Sequence, residues 1–423
     1  MNLTPFLQES KTLIFIVLIV LFWLSIFYLQ VNKQRKPAIL CILGILIILT
    51  GYYVYQFGLK FSQINEWDFL AFYVYGKLGA EGLPIYDPAS FNHFMPFLDL
   101  PNGVSAFFNA SVLSVGFVYP PTTMLLLAPI GYLDLSTAVH IWKAFILITL
   151  LTDIVLIYYI YKIHKTSLIN LLIITTLILL LPGSSTTVAL SQTNFLLLFL
   201  IVITLIKPDS WKAGIYLALG VVVKPIAVLW ALYFLIRRKW APVISFSLTG
   251  LVLVILTIVW FGLDNFLAFF TTNPTSRLPA YVYDEGINQS MNAIILRISS
   301  FLGLTSGGDQ VAWMVLILSV VMVVAGAIAS VRLLKRDREA SFLLLIPLSL
   351  LVYPGCLSHY AVLLLPVLFS MIVRNSRPLL FLILAVLVTL SFSSFAACLV
   401  LFVFFLLFSF NKRVYELFKP ATA

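Results

Sequence analysis

Long runs of apolar residues, separated by short polar or basic segments, repeat along almost the whole chain. Many of these runs approach the ~20 residues that an α-helix needs to cross a bilayer. Because a membrane offers no water to unpaired peptide groups, such runs predict a bundle of transmembrane helices. The pattern predicts about thirteen spans. They cover roughly 12–31, 37–59, 136–161, 168–183, 194–206, two halves of 213–236, 241–262, 310–331, 341–353, 360–373, 378–392 and 395–410.

The apolar stretch 122–133 is too irregular for a simple span. It follows Tyr119-Pro120-Pro121 and contains Pro129, and prolines interrupt a regular helix. A crossing helix here would also place the basic loop 162–165 outside the cell, against the usual charge distribution. We therefore predict a short helix that dips into the outer face.

The stretch 213–236 has basic residues at both ends and Lys224-Pro225 at its middle. A single span would place one basic flank outside, whereas two short helices that meet near Lys224 keep both flanks inside. Broken helices occur at membrane depth where they line a cavity. We predict the hairpin; one span with a proline kink and a snorkelling lysine is the alternative.

Clusters of lysine and arginine mark the predicted cytoplasmic loops. They lie at 33–36, 237–239, 332–338, 374–377 and 412–413. This orientation places the N-terminus outside and predicts a protein of the plasma (inner) membrane. The net charge of +10 follows from this topology, so we expect membrane lipids as partners and no nucleic acid.

Composition supports the same class. Hydrophobic residues make up 62% of the chain and charged residues 10%, whereas soluble domains are about half apolar and a quarter charged. The predicted fold class is an all-α polytopic membrane protein. The chain has no phosphate-binding loop, no dinucleotide-binding glycine motif and no Asp-x-Asp metal motif. We expect no cofactor and no metal dependence, and an activated substrate that arrives through the lipid.

Five polar segments that are far apart in sequence fall on the predicted outer face. They are 66–121, 182–194, the surroundings of Lys224, 277–297 and 354–360. Two predicted outer loops, 60–118 and 264–309, are too long to be plain connections. Convergence on one face is what an active site requires, although ordinary connecting loops are the alternative.

Asp68 follows a predicted span by a few residues, and carboxylates so close to a bilayer tend to be functional. The aromatic residues after it, Phe69, Phe72, Tyr73 and Tyr75, suggest an amphipathic helix on the outer membrane surface. Asp68 is then either a catalytic group or the N-cap of that helix. Asp87, in a turn rich in glycine and proline, is interpreted as structural.

His359 lies where two short predicted spans meet, so it is either a core histidine or a functional group. Lys224, Arg277 and Arg297 are basic residues near membrane level on the outer face. They either snorkel to lipid headgroups or hold an anionic phosphate. Asn288-Gln289-Ser290 also fits the glycosylation pattern, which is common by chance.

Taken in order, several short motifs resemble one known family. They are Asp68 with the aromatic residues after it, Gly82-Leu83-Pro84-Ile85-Tyr86-Asp87-Pro88, Tyr119-Pro120-Pro121, Gln192-Thr193-Asn194, Lys224-Pro225, Asn288-Gln289-Ser290 with Arg297, and His359-Tyr360. Their order and spacing resemble the polyprenyl-phosphate-mannose-dependent mannosyltransferases of glycosyltransferase family 87, within the GT-C superfamily. Related enzymes of that superfamily use arabinose, glucose or other lipid-linked sugars, so the sugar stays open.

The resemblance implies a GT-C fold and transfer of a sugar from a polyprenyl-phosphate donor to a glycolipid or glycan hydroxyl. Mannose is the sugar that it implies first. It implies an inverting reaction on the outer face. Asp68 falls at the family's catalytic carboxylate and His359 at a second active-site group. The substrate-binding positions that it implies are Tyr86, Tyr119, Gln192, Asn194, Lys224, Asn288, Gln289, Arg297 and Tyr360.

The predicted organisation has four parts: an extra helix and basic loop (1–36), a conserved helical module (37–263) with its first outer loop (60–135), a second outer loop (264–309) and C-terminal helices (310–423). A polytopic transporter or lipid flippase is the rival function. Transporters place polar groups near the bilayer midplane, often within internal repeats. This chain has no repeat, and its polar groups lie on one face, which favours the enzyme.

Overall fold

The computed structural model describes residues 4–32, 35–55, 67–87, 89–90, 119–161, 167–272, 288–302, 308–373 and 394–418. Within these ranges the regular structure is helical, and one antiparallel bridge joins Asn288 to Leu357. The predicted all-α polytopic class is therefore confirmed. The predicted span 378–392 and Arg277 lie outside the described residues.

Nineteen α-helices are described, and three 3₁₀ segments, Pro121–Thr123, Pro225–Trp230 and Ser358–Leu364, connect some of them. The α-helices are α1 (Thr4–Val31), α2 (Lys36–Val54), α3 (Trp67–Ala80), α4 (Met124–Gly131), α5 (Leu135–Ile160), α6 (Ser167–Leu180), α7 (Pro182–Ala189), α8 (Asn194–Ile206), α9 (Trp211–Val223), α10 (Ala231–Ile236), α11 (Trp240–Phe261), α12 (Leu263–Thr272), α13 (Met291–Phe301), α14 (Gly308–Leu334), α15 (Arg338–Leu343), α16 (Leu345–Val352), α17 (Leu365–Val373), α18 (Ser394–Phe410) and α19 (Lys412–Phe418).

Four described helices are long and apolar enough to cross a membrane: α2, α5, α11 and the Trp313–Leu334 part of α14. A fifth span is formed if α6 and α7, which are bent by 62° at their junction, are counted together. The other apolar helical segments that could be assessed, Leu13–Leu29 of α1 among them, have 10–17 residues. The chain is thus an integral membrane protein, while the predicted count of about thirteen spans is not confirmed.

Those predicted cytoplasmic loops that the structure describes around 209, 237 and 336–338 lie together at one end of the molecule. The Arg237 guanidinium contacts the Asp209 carboxylate at 2.5 Å and donates to the Tyr233 hydroxyl at 3.1 Å. The Tyr233 hydroxyl in turn lies 3.4 Å from the carbonyl of Arg338, and Arg336 donates to a carbonyl in the last turn of α18. We call this the basic end; it comprises the loops before α9, after α10 and after α14.

The broken segment between α9 and α10 is a hairpin, as its basic flanks predict. α9 ends at Val223, and Lys224 follows as its C-cap. The extended backbone of Lys224 (φ −154°, ψ 127°) breaks the helix before Pro225. The ion pair between Asp209 and Arg237 joins the residues just before α9 to those just after α10. The two ends of the hairpin therefore lie side by side, away from the Lys224 tip. With 13 residues in α9 and a rise of 1.5 Å per residue, Lys224 lies about 20 Å from the basic end. The alternative of a single kinked span is wrong.

α3 is buried in protein, which corrects the expectation of an amphipathic helix on the membrane surface. Phe69, Phe72 and Tyr73 are buried on one face of the helix, and Leu70, Val74 and Tyr75 are buried on the other faces. A helix that is apolar on every face belongs in a core rather than at an interface. The short α4 after the Tyr-Pro-Pro segment packs against α3 through Gly131 and Gly76, and its dipping into the outer face stays a prediction.

Residues 182–194 were predicted to form an outer loop, and this prediction is wrong because most of them form α7. Pro182 occupies the first helical turn, where its missing N–H is harmless. Thr186 donates its hydroxyl to the Pro182 carbonyl at 3.0 Å. Gly183 lets the helix approach the 3₁₀ segment 358–364, since an added Cβ would lie 2.8 Å from the Val362 nitrogen.

The predicted second outer loop also contains helices, α12 and α13, at its two ends. Ser290 caps α13, because its hydroxyl accepts a hydrogen bond from the Ala293 nitrogen at 3.2 Å. Residues 273–287 lie outside the described residues. The described parts of these two polar segments are therefore helical rather than simple connections.

Candidate active site

Asp68 lies inside the first turn of α3, which begins at Trp67. Its half-buried carboxylate accepts a hydrogen bond from the Gln192 side-chain nitrogen, Nε2 to Oδ2, at 2.5 Å. This contact joins segments 124 residues apart, so it favours a role in a tertiary site over the alternative of a local helix cap. Burial raises the pKa of the Asp68 carboxyl above its ordinary value, and the Gln192 hydrogen bond and the Lys224 charge only partly oppose this rise.

Lys224 is wholly buried at the tip of the hairpin. Its Nζ donates to the Gln192 side-chain oxygen at 3.0 Å and lies 3.8 Å from the centre of the Tyr360 ring. An aromatic face stabilises a cation at this distance. Lys224 is thus covered by Gln192 and Tyr360, which does not fit the alternative of a lysine that snorkels to lipid headgroups.

Gln192 links the acid to the base through one amide group, because its nitrogen faces Asp68 and its oxygen faces Lys224. The backbone before it is held firmly. Ser191 adopts a left-handed conformation (φ 54°) just after α7, and its carbonyl accepts a hydrogen bond from the Trp142 indole at 2.8 Å. The Gln192 nitrogen donates to the Thr187 carbonyl at 2.9 Å. The amide is therefore presented by a fixed turn.

His359 is buried in the 3₁₀ segment 358–364, with its ring edge against Tyr360 at 4.9 Å between centroids. Its carbonyl accepts a hydrogen bond from the Asn194 amide at 3.1 Å. Neither ring nitrogen has a hydrogen-bond partner among the described groups. An ordinary core histidine would be hydrogen-bonded, so this observation weakens the structural interpretation.

The structure connects His359 to Asp68 through intermediates rather than directly. The path of described contacts runs from His359 to the Tyr360 ring, then to Lys224, Gln192 and Asp68. His359 and Asp68 thus belong to one cluster. Their joint action on one hydroxyl or one phosphate stays a prediction.

Asn288 and Gln289 lie beside the segment that carries His359. Asn288 pairs with Leu357, and the Gln289 nitrogen donates to the Cys356 carbonyl at 2.7 Å. Arg297 donates to the Asn288 carbonyl at 2.9 Å, which fixes the arginine next to this pairing. Asn288 is fully buried, so the folded protein cannot carry a glycan there.

Tyr86 and Tyr119 form the wall on the α3 side. The Tyr86 hydroxyl donates to the Tyr119 carbonyl at 2.8 Å, and the Tyr119 phenol interacts with Gln192. The Tyr119 ring also packs against Phe72 of α3. Asp87 is exposed and accepts a hydrogen bond from the Ala89 nitrogen at 3.0 Å, which confirms its structural role.

The structure therefore brings predicted site residues together from five separate segments: Asp68, Tyr119, Gln192, Lys224, and His359 with Tyr360. Sequence reasoning did not single out Trp142 or Ser191, which hold the Gln192 turn. Trp142 lies inside a long apolar run, where a tryptophan carries no signal, and the conformation of Ser191 cannot be read from its type. In the described part of the chain no three His, Cys, Asp or Glu side chains are placed to hold a metal ion. Metal independence stays a prediction.

Comparison with known proteins adds one finding to this geometry. No curated protein and no solved structure matches the chain. The family model described as glycosyltransferase family 87 matches residues 117–357, more than half of the chain. Gln192, Lys224 and Asn288 fall inside the match, Asp68 precedes it, and His359 follows it by two residues. The chain is a membrane protein that belongs to glycosyltransferase family 87.

Proposed function

We propose that this protein transfers a sugar from a polyprenyl-phosphate donor to a hydroxyl group of a lipid-linked or envelope glycan, with inversion at the sugar carbon. The observation that carries the proposal is the buried cluster of Asp68, Gln192 and Lys224 at the tip of a broken helix. It places a carboxylate base within two hydrogen bonds of a cation, and a phosphate-activated sugar needs both groups.

In the proposed reaction the acceptor oxygen attacks the anomeric carbon of the sugar as the bond from that carbon to the phosphate oxygen breaks. The acceptor proton passes to Asp68, which acts as general base in its ionised form. The departing phosphate keeps the bonding electrons, and a nearby cation stabilises its charge. Lys224 is the candidate cation, with Arg297 second. Attack opposite the leaving group inverts the anomeric configuration.

The site lies at the end of the molecule away from the basic end, about 20 Å along α9. Positively charged loops favour the cytoplasmic side. This supports placement of the chemistry on the outer face of the plasma (inner) membrane, where no nucleotide sugar is present. A donor carried by a lipid fits that location.

Mannose as the sugar, and a glycolipid or glycan as the acceptor, rest on the motif resemblance, whereas family membership supports a glycosyltransferase in general. The rival function, transport or flipping of a lipid, would move the sugar without attaching it to anything. Covalent transfer is therefore the observation that separates the two classes.

The test uses purified protein in proteoliposomes with polyprenyl-phosphate mannose carrying a radiolabel and a membrane glycolipid extract as acceptor. We expect label on the acceptor with wild type. Asp68→Asn should lower the rate on the order of 10²–10⁴-fold, because the amide keeps the shape but takes no proton. Asp264→Asn is the matched control, since Asp264 is an exposed acid in the first turn of α12. Label that crosses the membrane without covalent transfer would contradict the proposal, as would full activity in Asp68→Asn.

A further inference from the structure

Two stripes of exposed apolar side chains, one on α14 and one on α18, run toward the basic end of the molecule. Their members are Val324, Ile328 and Val331 on α14, and Val403, Leu407 and Phe410 on α18. Residues three or four apart lie on one face of a helix, so each stripe faces the bilayer as a unit. The two helices are in contact, since a Cβ added at Gly326 of α14 would lie 3.4 Å from the side chain of Phe402.

The stripes meet where both helices end. Arg332 follows the α14 stripe on the same face, and its guanidinium lies 4.0 Å from the centre of the Phe410 ring, the last member of the α18 stripe. An aromatic face stabilises a cation at this distance. Apolar side chains that face lipid thus lead directly to a fixed positive charge.

Five exposed basic residues surround this meeting point. We call them the basic patch: Arg332, Lys335, Arg336, Lys412 and Arg413. The Arg336 guanidinium donates to the Ser409 carbonyl at 3.3 Å and lies 5.4 Å from the centre of the Tyr415 ring. The Tyr415 hydroxyl donates back to the Arg336 carbonyl at 3.3 Å. The loop after α14 is therefore held against the junction of α18 and α19.

The basic patch keeps its positive charge, unlike the other part of the basic end. There, Arg237 and Lys239 share the carboxylate of Asp209, at 2.5 Å and 3.5 Å. Among the described residues no carboxylate forms an ion pair with a member of the basic patch. Its two guanidinium groups are held by aromatic rings and a carbonyl instead. A cytoplasmic loop needs basic residues, but it does not need them fixed and unpaired beside a lipid-facing surface.

We propose that the basic patch and the two apolar stripes bind a phospholipid whose headgroup carries two phosphates, from the leaflet at the basic end. Charge complementarity points to this occupant, because five unpaired cations exceed what one phosphate neutralises. Basic sites between membrane helices attract anionic headgroups, and arginine binds phosphate through paired N–H groups. The acyl chains lie along the stripes. The site shares no residue with the cluster of Asp68, Gln192 and Lys224, so it does not depend on the proposed function.

Binding is tested on delipidated, purified full-length protein in an uncharged detergent, by thermal stabilisation. The probes are cardiolipin, phosphatidylglycerol and phosphatidylcholine with the same acyl chains, which carry two, one and no net negative charges on the headgroup. The test variant is Arg332→Gln/Arg336→Gln. Its matched control, Lys207→Gln/Lys212→Gln, removes two positive charges from exposed positions elsewhere at the same end.

We expect cardiolipin to raise the melting temperature of wild type, because a ligand that binds the folded state stabilises it. Phosphatidylglycerol should need roughly a tenfold higher phosphate concentration for the same effect, because its phosphates are not linked in pairs. Phosphatidylcholine should have no effect. The apparent affinity for cardiolipin should fall on the order of tenfold in Arg332→Gln/Arg336→Gln and stay unchanged in the control.

A second variant, Lys335→Gln/Lys412→Gln, leaves both guanidinium contacts intact and decides the matter if the arginine variant does not fold. It should also bind cardiolipin more weakly than wild type. Cardiolipin binding equal to wild type in either folded variant would overturn the proposal. So would an equal loss in Lys207→Gln/Lys212→Gln, since the whole basic end would then act as one diffuse charge. Phosphatidylglycerol that matches cardiolipin at equal phosphate concentration would overturn the assignment of a two-phosphate headgroup.

Discussion

Gln192 is the residue on which the geometry of the site depends most. One amide donates to a carboxylate and accepts from an ammonium group, at 2.5 Å and 3.0 Å. The opposite orientation would place the amide nitrogen against the Lys224 ammonium, so the neighbours determine which way the amide faces. Removal of Gln192 would leave Asp68 and Lys224 each without this partner, even though both groups remain.

The pH dependence of transfer should report this arrangement. Asp68 works as a base only when ionised, and burial raises the pKa of its carboxyl. Activity should therefore fall on the acid side at a pH above the ordinary carboxyl range near 4. In Gln192→Leu the carboxylate loses a hydrogen bond that favours the charged form, so the acid limb should move to higher pH.

The measurement is kcat/KM against pH for wild type and Gln192→Leu, with melting temperature as the check on folding. Thr186→Val on the neighbouring α7 is a matched control, because its hydroxyl only donates back to the Pro182 carbonyl of the same helix. An unchanged acid limb in Gln192→Leu, with activity lowered equally at every pH, would contradict a role of Gln192 in holding the ionised carboxylate.

His359 offers a different test, because its ring nitrogens have no hydrogen-bond partner among the described groups. Replacement by leucine would leave no partner unpaired, so the melting temperature should change little. A functional imidazole predicts a turnover lower by on the order of 10²-fold or more. The loss in His359→Leu/Asp68→Asn should also be smaller than the product of the single losses, since groups that act as a unit fail together. A large fall in melting temperature with normal turnover per folded molecule would identify a structural histidine.

At the scale of the elements, α3 and α4 approach each other so closely that there is no room for a side chain at Gly131. A Cβ added at Gly131 would overlap the carbonyl group of Gly76 and the nitrogen of Lys77. Small residues allow membrane-embedded helices this approach. Since Asp68 lies on α3, the contact also fixes the position of the carboxylate.

Gly131→Ala should therefore destabilise the protein by about 1–3 kcal/mol, as overpacking of a close contact usually does. Gly44→Ala is the matched control: Gly44 is also within a helix, but an added Cβ there meets no atom within 4 Å. Alanine at position 44 should be neutral or stabilising, by up to ~1 kcal/mol. Comparison of melting temperatures tests both changes, and equal behaviour of the two variants would refute the packing argument.

The elements also show how far the sequence could predict the fold. The hairpin at Lys224 was predictable, because basic residues at both ends of one apolar segment cannot both lie inside unless the chain returns. α7 was not, because Pro182, Gly183 and its run of hydroxyl residues are typical of a loop. Ser185 and Thr186 donate their hydroxyls to the Pro182 carbonyl of the same helix, and Thr187 bonds to the His359 carbonyl and the Asn194 amide. Composition alone does not reveal such pairing.

The residues of the site could be predicted from the sequence better than the contacts between them. Asp68, Gln192 and Lys224 were all identified as candidates, and the structure connects them through hydrogen bonds. The burial of Lys224 under Tyr360 was not foreseen, because an isolated lysine in an apolar run is equally compatible with snorkelling toward water. Tertiary packing decided between the two, and a single sequence does not contain that information in readable form.

At the scale of the whole molecule, the two ends differ in charge and in chemistry. The basic end is joined by contacts such as those between Arg237 and Asp209, whereas the opposite end holds the Asp68 carboxylate and the Lys224 tip. Because α9 runs from one end to the other, the two ends cannot exchange sides without inverting the whole bundle. The orientation of the protein in the membrane therefore decides from which compartment the acceptor must come.

Cysteine labelling in intact cells tests this orientation. The starting protein has Cys41, Cys356 and Cys398 replaced by alanine, and single cysteines are then introduced at exposed positions, Lys207→Cys at the basic end and Asp264→Cys at the start of α12. We expect an impermeant thiol reagent to label position 264 in intact cells and position 207 only after the membrane is opened, because basic loops stay on the cytoplasmic side. Labelling of position 207 from outside would place the active site in the cytoplasm. A nucleotide sugar would then be accessible, and the argument for a lipid-linked donor would lose its topological support even if Asp68 proved essential for transfer.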